Sequence, residues 1–599
     1  MKLIESCKDV GVYLGFPFCQ TPCSFCHYKP NLLFGIQSIP DAYINCMCRQ
    51  AEELLDQNSI RERFFSSLYL GGGTPSLLSL SQLERILSVF DKRRISFRES
   101  SVELHPAFTN LDLISCGLFN RFSIGVQTTE TRQLAAWRRP HDTAEKVVAL
   151  VSRIRDRDPT AVINLDFLFL EAVPDADIGF VNAIQPDSVV FYPKTGQRTE
   201  HQAASTILSI DNLGTSLPGY YRRNRLSFHF FKEWKNHSQY AEACYGFNSD
   251  ILGLGHNSVS RFGTESFLSV FDRSFSSWQL DPRQRNVPLE TAWQSLLYGV
   301  PPVLQSVLPA HIQRMLVFDK HFDSTHLPFD RQVWNSVFDG LSSFDTKTAE
   351  FCRGCFFWSD GREKDIDSVF DFYETMRQDW INQQFNETLK PLPLPQLTVL
   401  IEGIDGSGKD TFAKFLFESL TRLFHRKNGG SVSIVGLPSS AIEFGQDCRR
   451  FIEEGSASIP ACEMGSMLKS NRCRSLDRFK ADHPGIQILI RGEWTERATM
   501  ERVYGIHEEP GPCEGVDMVI FVKTRPIIAR KRVESRGTRI TWRETLPELE
   551  FFNDFYWNSF LRTQDAFLVE NDVDSMDNLR VQAIQLAHVI YRRISALGT

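Results

Sequence analysis

Three cysteines lie within eight residues of one another near the start of the chain. Cys19, Cys23 and Cys26 form a C-x3-C-x2-C array in GFPFCQTPCSFCHY. This spacing could place them on one helix face, but Pro22 disfavours a helix and favours a loop that folds thiolates around a metal. A closed zinc site needs four ligands, and His27 is the nearest candidate fourth ligand. Three thiolates also suit a 4Fe–4S cluster with one open iron, so the spacing leaves both metals open.

A second motif lies in the C-terminal third of the chain. Gly403 is followed after four residues by Gly408 and Lys409, between an apolar run, LTVLIEG, and a helical pattern, TFAKFLFESLTRLF. This spacing is typical of a P-loop, in which backbone N–H groups surround phosphate oxygens and the lysine neutralises the β- and γ-phosphates. An ordinary glycine-rich turn is the alternative. The pattern predicts nucleotide binding.

The composition is that of a globular protein. Of 599 residues, 42% are hydrophobic and 23% charged, which excludes a mostly disordered or fibrous chain. The net charge of −7 gives no sign of a nucleic-acid or anionic-membrane partner. No apolar run approaches the ~18 residues of a membrane span, and residues 1–12 lack a signal-peptide core. With 14 cysteines, far too few for a disulfide scaffold, we expect a cytoplasmic protein.

The elements that position these residues predict an α/β fold. FSSLYL reads as a strand followed by three glycines, whose N–H groups we expect to approach a ligand closely. RFSIGVQ, VINLDFLFL and VVFY read as buried strands between helical stretches such as LSQLERILSVFDKR. This alternation predicts a parallel sheet. Four polar residues fall at or just beyond the predicted strand ends, where barrel sites collect: Glu103, Gln127, Arg139 and Asp166.

The cysteine segment resembles the radical S-adenosylmethionine (SAM) superfamily, and more narrowly the oxygen-independent coproporphyrinogen III oxidases and their haem-chaperone relatives. The resemblance runs over about residues 10–260, through Tyr13-x-x-x-Pro17-Phe18-Cys19, Tyr69-Leu70-Gly71-Gly72-Gly73-Thr74-Pro75-Ser76, Glu103-x-x-Pro106, Asn120 to Gln127, Arg139-x-His141 and Asn164-x-Asp166. It implies a partial (β/α) barrel and a 4Fe–4S cluster on Cys19, Cys23 and Cys26. It implies SAM contacts from Tyr13, Phe25, Gly72, Gly73, Thr74, Glu103, Gln127, Arg139 and Asp166. It also implies an electron donor such as flavodoxin or ferredoxin.

The chain departs from this family on the substrate side. Tyr28 occupies the place of a further oxidase cysteine, and Gly15 replaces the histidine of the family's H-I-P-F-C run. The family's G-x-P-G-Q-T stretch is degraded to residues 169–174, and its G-x-G-x-G-A-H-S run has become residues 253–260. We therefore expect a substrate other than coproporphyrinogen.

The P-loop segment, residues 402–409, resembles the thymidylate kinases, as do Ser470-Asn471-Arg472, the strand from Asp517 and Arg532-x3-Arg536-Gly537. The resemblance implies a doubly wound α/β domain that binds ATP with Mg²⁺. The implied nucleotide-binding residues are Gly403, Asp405, Gly406, Ser407, Gly408, Lys409, Asp410, Thr411 and Arg472, and the implied catalytic residues are Lys409, Arg491, Arg532 and Arg536. Two departures leave phosphotransfer in doubt. Asp410 replaces the magnesium-binding Ser or Thr, and Ile490-Arg491-Gly492 lacks the carboxylate of the family's D-R-Y/W block.

Three domains are expected: residues 1–262, a small helical module over 263–390 and a kinase-like domain over 391–599. The last boundary follows from the prolines at 391, 393 and 395. Cys352 and Cys355 are expected to be spectators, with an auxiliary cluster or redox pair as the alternative. The sequence predicts a bifunctional radical SAM enzyme and nucleoside-monophosphate kinase with small porphyrin-like or nucleotide substrates. The alternative is a haem-binding chaperone-like protein with a degenerate, regulatory nucleotide domain.

Overall fold

The computed structural model describes residues 9–26, 33–57, 60, 64–194, 199–223, 227–233, 236–245, 250–262, 265–283, 317–319, 324–326, 331, 335, 366–386, 392–393, 395–425, 431–482, 484–507, 513–572 and 576–597. The chain forms two compact units. One comprises Met1–Ile210 and Arg222–Tyr373, and the other comprises Asp211–Tyr221 and Glu374–Thr599. Across the described residues, no helix has the length and apolar character needed to cross a bilayer.

The strands of the first unit are β1 (Asp9–Phe16), β2 (Phe18–Cys19), β3 (Leu33–Phe34), β4 (Phe64–Gly72), β5 (Glu99–Leu104), β6 (Arg121–Gln127), β7 (Val162–Phe169), β8 (Ser188–Pro193), β9 (His229–Phe231), β10 (Asp250–Leu254), β11 (Val259–Phe262), β12 (Glu265–Phe271), β13 (Trp278–Arg283), β14 (Val317–Asp319) and β15 (Ser324–His326). Its helices are α1 (Asp41–Leu55), α2 (Leu80–Asp91), α3 (Asp112–Ser115), α4 (Thr131–Ala136), α5 (Ala144–Arg157), α6 (Asp175–Ile184), α7 (Glu200–Ser216, which ends in the second unit) and α8 (Gln239–Tyr245).

Eleven of these strands form one sheet, in the order β13-β12-β11-β10-β1-β4-β5-β6-β7-β8-β9. Every pairing from β10 to β8 is parallel, and the flanking strands are antiparallel. Helices connect successive parallel strands from β1 to β8, which is the βαβ arrangement of a partial barrel. The prediction of a parallel sheet is confirmed, and RFSIGVQ coincides with β6.

Local sequence explains where the helix after the glycine loop begins. Ser79 and Gln82 form a capping box, in which each side chain accepts a hydrogen bond from the other residue's backbone N–H. The predicted helix over LSQLERILSVFDKR accordingly starts at Leu80, and it ends at Asp91. It presents Leu83, Ile86 and Phe90 as its buried side.

The range expected to be a helical module begins with strands. β12, with the sequence ESFLSVF, pairs antiparallel with β13, and the two strands extend the sheet. Asp272 follows β12 and stabilises the turn between them. The Asp272 carboxylate accepts hydrogen bonds from the backbone N–H groups of Ser274, Ser276 and Ser277. The predicted helix over DIDSVFDFYETMRQDWINQQF is observed as α9 (Ile366–Asn386), which spans the division between the units. Cys352 and Cys355 lie outside the described residues.

The second unit contains β16 (Leu392–Pro393), β17 (Leu397–Glu402), β18 (Phe424–His425), β19 (Ser431–Gly436), β20 (Gly485–Ile490), β21 (Met518–Lys523) and β22 (Ala566–Glu570). Its helices are α10 (Lys409–Leu423), α11 (Gly445–Glu454), α12 (Ala461–Asp482), α13 (Glu493–Tyr504), α14 (Pro526–Ser535), α15 (Leu546–Leu561) and α16 (Met576–Leu597). Five strands form a wholly parallel sheet in the order β19-β20-β17-β21-β22.

Both faces of this sheet are covered. On one face, Phe412 and Leu416 of α10 and Leu586 of α16 share a core with the strands. On the other, Phe521 of β21 makes ring contacts with Trp494 and Tyr556, which lie on α13 and α15. The expected doubly wound α/β architecture is therefore confirmed, and the glycine-rich loop joins β17 to α10.

Candidate functional site

The three cysteines lie on one segment at the end of β2. Cys19 is buried, whereas Cys23 and Cys26 are partly exposed in the turn that follows. The pKa of the Cys19 thiol is raised to about 11, chiefly by burial and also by the charges of Cys23 and Cys26, while the hydrogen bond from Thr74 opposes the shift. Across the described part of the chain, no three His, Cys, Asp or Glu side chains are arranged to hold one metal ion. A cuboidal cluster requires no such convergence, because each thiolate binds a different iron.

The glycine-rich loop after β4 is docked on the cysteine segment. Gly73 N–H donates to the Phe16 carbonyl and Thr74 N–H to the Phe18 carbonyl, both at 2.8 Å, and Thr74 Oγ1 donates to Cys19 Sγ at 3.4 Å. A Cβ on Gly73 would lie 2.6 Å from the Phe18 carbonyl oxygen. The Gly73 amide, one of the three expected to approach a ligand, therefore bonds the cysteine segment instead, and the SAM contacts predicted for Gly73 and Thr74 stay a prediction. The glycine is required because two backbone segments meet here.

The end of the cysteine segment is held by the residues after α4. Ser24 N–H donates to the Trp137 carbonyl at 3.2 Å, and the Phe25 ring packs edge-on against the Trp137 ring, with centroids 5.5 Å apart. The SAM contact expected of Phe25 stays a prediction. The structure shows that its ring packs against Trp137. Trp137 carried no motif signal in the sequence.

Arg139 and Gln127 come together over a glycine of β6. A Cβ on Gly125 would lie 2.9 Å from Gln127 Nε2 and 3.5 Å from Arg139 Nη1, so the absent side chain leaves room for both. Gln127 has a φ of 68°, a conformation that side chains other than glycine rarely adopt. Arg139 is buried, and its positive charge opposes the effect of burial on the pKa values of Cys19 and Cys23.

Two partly buried carboxylates, Glu103 and Asp166, lie on β5 and β7, which flank β6 in the sheet. Burial raises the pKa of Glu103 to about 7, and the nearby charge of Asp166 adds to the shift. Glu103 accepts hydrogen bonds from Tyr69 Oη at 2.8 Å and from the Gly72 amide. Burial also raises the pKa of Asp166, which accepts hydrogen bonds from Ser123 and Asn164. Asp166 lies within β7 and not at its end, which corrects the expectation from sequence.

Tyr13 belongs to a stack of three tyrosines. Its ring lies 6.1 Å from Tyr69 and 5.6 Å from Tyr240, and the latter two rings are 4.5 Å apart. The Tyr13 hydroxyl lies 3.4 Å from where a Cβ on Gly72 would stand, so it adjoins the glycine loop. Tyr240 comes from α8 and was not foreseen, because no motif surrounds it.

The second candidate site is the loop between β17 and α10, whose conformation requires its glycines. Gly406 and Gly408 have φ values of 85° and 87°, and a Cβ at these positions would lie 2.4 Å from the Ala529 carbonyl oxygen and 2.5 Å from Asn571 Nδ2. A Cβ on Gly403 would lie 2.7 Å from Ser407 Oγ. The Ser407 carbonyl accepts a hydrogen bond from Asn571 Nδ2 at 2.6 Å, which locks the loop.

Asp405 holds two cations at this loop. Lys409 Nζ lies 3.1 Å and Arg491 Nη2 lies 2.6 Å from the same carboxylate oxygen, and Asp410 is 3.7 Å from Lys409 Nζ. Burial favours a higher pKa for Asp405, but the charges of Lys409 and Arg491 outweigh it and hold the pKa well below its usual range. Burial lowers the pKa of Lys409, although Asp405 opposes the shift.

A cavity of about 150 Å³ adjoins this ion cluster. Asp410 and Arg491 line it on the P-loop side, and Arg449 and Pro438 line it from the chain after β19. Arg449 Nε donates to the Pro438 carbonyl at 2.9 Å, which fixes the side chain at the cavity wall. Thr411 follows Asp410 on α10 and is partly buried.

The three other predicted arginines have different surroundings. Arg532 Nη1 donates to the carbonyls of Gly406, at 3.4 Å, and Asn571, so it reaches the P-loop. Arg536 instead lies 3.7 Å from Glu544. Arg472 is buried and paired with Glu493 and Glu496 on α13. Burial raises the pKa of Glu496 to about 7, although Arg472 opposes the shift. His27 and Tyr28 lie outside the described residues.

No protein-family model matches the sequence. The heme chaperone HemW of Buchnera aphidicola subsp. Acyrthosiphon pisum is 24% identical over 295 residues, covering 45% of this chain and 75% of that protein. Coproporphyrinogen III oxidase (HemN) from Escherichia coli, a radical SAM enzyme, has a TM-score of 0.43 at 17% identity, over 57% of this chain and 90% of that one. Thymidylate kinase from Candida albicans has a TM-score of 0.25 at 14% identity, and the match covers 34% of this chain and 93% of that one. About half of the chain is therefore similar in sequence to a heme chaperone, its cysteine and glycine motifs resemble those of the radical SAM coproporphyrinogen III oxidase and haem chaperone family, and its P-loop region resembles the thymidylate kinases.

Proposed function

We propose that the chain is a bifunctional enzyme, in which a radical SAM domain acts on a small organic substrate and a P-loop domain phosphorylates a nucleoside monophosphate. The observation that supports the first activity is one continuous series of contacts. The Glu103 carboxylate accepts a hydrogen bond from the Gly72 amide, and the Thr74 hydroxyl in the same loop donates to Cys19 Sγ. The charge of Arg139 lowers the pKa of Cys19, and Arg139 and Gln127 both approach the space above Gly125. Residues as far apart in the sequence as Cys19 and Arg139 therefore lie around the same part of the first unit.

These residues fit the cofactors that the family uses. Cys19, Cys23 and Cys26 would hold a 4Fe–4S cluster, leaving one iron for the amino and carboxylate groups of SAM. Cluster and SAM together supply reductive cleavage to methionine and a 5′-deoxyadenosyl radical. The acidic side chains of Glu103 and Asp166 suit the hydroxyls of a ribose.

The protein's own contribution is to bind, orient and exclude water. Arg139 supplies a buried positive charge beside the cysteine segment, suited to a carboxylate, and Gln127 supplies an amide next to it. The loss of family features on the substrate side, including the histidine at Gly15, supports a substrate other than coproporphyrinogen. A flavodoxin or ferredoxin would supply the electron, and an oxygen-labile cluster suits the reducing cytoplasm.

Anaerobic reconstitution of the full chain tests the metal site. We expect about four iron atoms per chain, and loss of most of this iron in Cys19→Ala, Cys23→Ala and Cys26→Ala. Cys48→Ala is the matched control, because this cysteine lies on α1 outside the array and is also partly exposed. Full iron loading in all three array variants would overturn the assignment of the cluster to these cysteines.

The proposed phosphotransfer rests on the cations around the P-loop. Lys409, Arg491 and Arg532 meet at this loop, and Arg449 and Arg491 border the adjoining cavity. Such a set would bind the phosphates of ATP with Mg²⁺ and, in the cavity, the phosphate of an acceptor nucleotide. Catalysis would come from positioning and charge. Because Asp410 replaces the hydroxyl that binds magnesium, its carboxylate would be the metal ligand here.

A panel of nucleoside monophosphates tests this activity directly. Lys409→Ala should abolish phosphorylation of whichever monophosphate the wild type accepts, whereas Lys414→Ala, an exposed position on the same helix, should not. ATP binding without consumption of any monophosphate would favour a regulatory nucleotide domain.

Haem binding without radical chemistry is the second candidate function. The aligned Buchnera relative bears the name of a heme chaperone. A Cβ at position 15 would lie 2.2 Å from Ser258 Oγ, so a side chain at this position would have to displace the Ser258 hydroxyl. Stoichiometric haem binding by a protein that does not cleave SAM would establish this candidate.

A further inference from the structure

We propose that Asp142 is a positioning residue for Arg139, and that it sets both SAM affinity and the reduction potential of the cluster through that arginine. The inference rests on the proposed radical SAM function. Asp142 lies three residues after Arg139 and outside every motif that the family resemblance uses.

Asp142 pairs with the guanidinium of Arg139 at its Nε atom. Asp142 Oδ2 forms an ion pair with Arg139 Nε, and the two side chains are 0% and 7% exposed. Arg139 Nη1 and Nη2 lie 3.5 and 3.9 Å from the position of a Cβ on Gly125, and Gln127 Nε2 lies 2.9 Å from the same point. The ion pair therefore fixes the face of the guanidinium that SAM would meet.

The other oxygen of Asp142 is tied to the strand that carries Glu103. Asp142 Oδ1 accepts a hydrogen bond from Ala107 N–H at 3.2 Å and lies 3.2 Å from His105 Nδ1. His105 and Ala107 follow β5 directly. One carboxylate thus connects the chain after β5 with the arginine that follows α4, so that Glu103 and Arg139 keep a constant separation.

The charge of Asp142 also balances that of Arg139. Both side chains are buried, and a buried guanidinium without a counter-charge is strongly unfavourable. The positive charge of Arg139 already acts on Cys19 and Cys23. If Asp142 loses its charge, the net charge beside the cysteines becomes more positive. Reduction of a cluster there would become easier, and Arg139 would lose its fixed orientation.

The experiment compares Asp142→Asn and Asp142→Glu in the anaerobically reconstituted full chain. We expect Asp142→Asn to retain its iron, to bind SAM about tenfold more weakly by equilibrium dialysis, and to show a more positive reduction potential by EPR-monitored titration. Asp142→Glu should recover much of both properties. Asp177→Asn is the matched control, because Asp177 is equally buried but bonds Thr129.

A double variant separates positioning from a merely structural role. In an Arg139→Gln background, Asp142→Asn should leave SAM affinity unchanged, because the guanidinium that Asp142 orients is absent. An equal loss of SAM affinity in both backgrounds would overturn the inference, as would wild-type SAM affinity and potential in Asp142→Asn. A wild type that holds neither iron nor SAM would overturn the proposed function as well.

Discussion

Thr74 donates a hydrogen bond from its hydroxyl to the sulfur of Cys19, with Oγ1 and Sγ 3.4 Å apart, although 55 residues separate them in the sequence. The contact joins the glycine-rich loop after β4 to the cysteine segment after β1. It also gives the Cys19 sulfur a hydroxyl donor. Hydrogen bonds to cluster sulfurs raise reduction potentials, so this contact has a measurable consequence.

Thr74→Val should lower the reduction potential of the reconstituted cluster while leaving the iron content near that of the wild type. The valine keeps the branched shape but cannot donate to Cys19. Thr74→Ser keeps the hydroxyl and should restore the wild-type potential. EPR-monitored redox titration measures both variants. Equal potentials in Thr74→Val and the wild type would show that the bond has no influence on the cluster.

Gly73→Ala should destabilise the first unit and reduce iron loading. The new Cβ would lie 2.6–2.9 Å from the Phe16 and Phe18 backbone atoms, and neither segment can move independently of the cysteines. Overpacking of this kind costs about 1–3 kcal/mol in the free energy of unfolding. Gly179→Ala is the control, because nothing lies within 4 Å of its Cβ position. Denaturant unfolding and iron analysis measure both variants. Equal free energies of unfolding and equal iron contents in Gly73→Ala and Gly179→Ala would contradict this prediction.

Asp405→Asn should destabilise the second unit by about 3 kcal/mol in the free energy of unfolding. The substitution leaves the buried Lys409 and its neighbour Arg491 without their shared carboxylate, and an unpaired buried charge is costly. Asp447→Asn changes an exposed residue whose ion-pair distance to Arg450 is 4.0 Å, and it should have almost no effect. Denaturant unfolding of the full-length variants measures the difference. Equal stability of the two variants would mean that Asp405 does not hold these cations together.

The effect of Glu496→Gln on the free energy of unfolding should be more favourable at pH 8 than at pH 5. Burial raises the pKa of Glu496 from 4.5 to about 7, so the folded state binds this proton more tightly than the unfolded state. The wild type therefore loses stability as pH rises from about 4.5 to about 7, and glutamine has no proton to lose. Glu454→Gln, at an exposed position, is the control. Unfolding measured at both pH values would refute the assignment if the difference between Glu496→Gln and the wild type were the same at pH 8, or less favourable to the variant.

Much of the fold was predictable because it depends on local patterns. β6 coincides with RFSIGVQ, and α10 begins at the P-loop lysine, because apolar runs and helical periodicity are properties of short segments. The strands at β12 and β13 were missed. These strands extend a sheet that is built from earlier parts of the chain, and the sequence of residues 263–283 alone does not show that such a sheet is available to pair with.

The site residues that belong to sequence motifs could be predicted. The residues that join the site only through long-range contacts could not. Neither Tyr240 nor Glu496 carries a pattern, since each acquires its role from neighbours more than 20 residues away. Asp142 was accessible in principle, because an acidic residue at i+3 from Arg139 is a recognisable ion-pair spacing. The engagement of the Gly73 and Thr74 amides was not accessible, since backbone partners leave no trace in side-chain identity.

Formation of 5′-deoxyadenosine tests the central claim most directly. The reconstituted full chain is incubated anaerobically with SAM and dithionite, and the product is quantified by mass spectrometry. The account predicts 5′-deoxyadenosine and methionine in equal amounts from the wild type and from Cys48→Ala. It predicts neither product from Cys19→Ala, Cys23→Ala or Cys26→Ala, nor without dithionite. Intact SAM in a wild-type sample that holds four iron atoms per chain would contradict it.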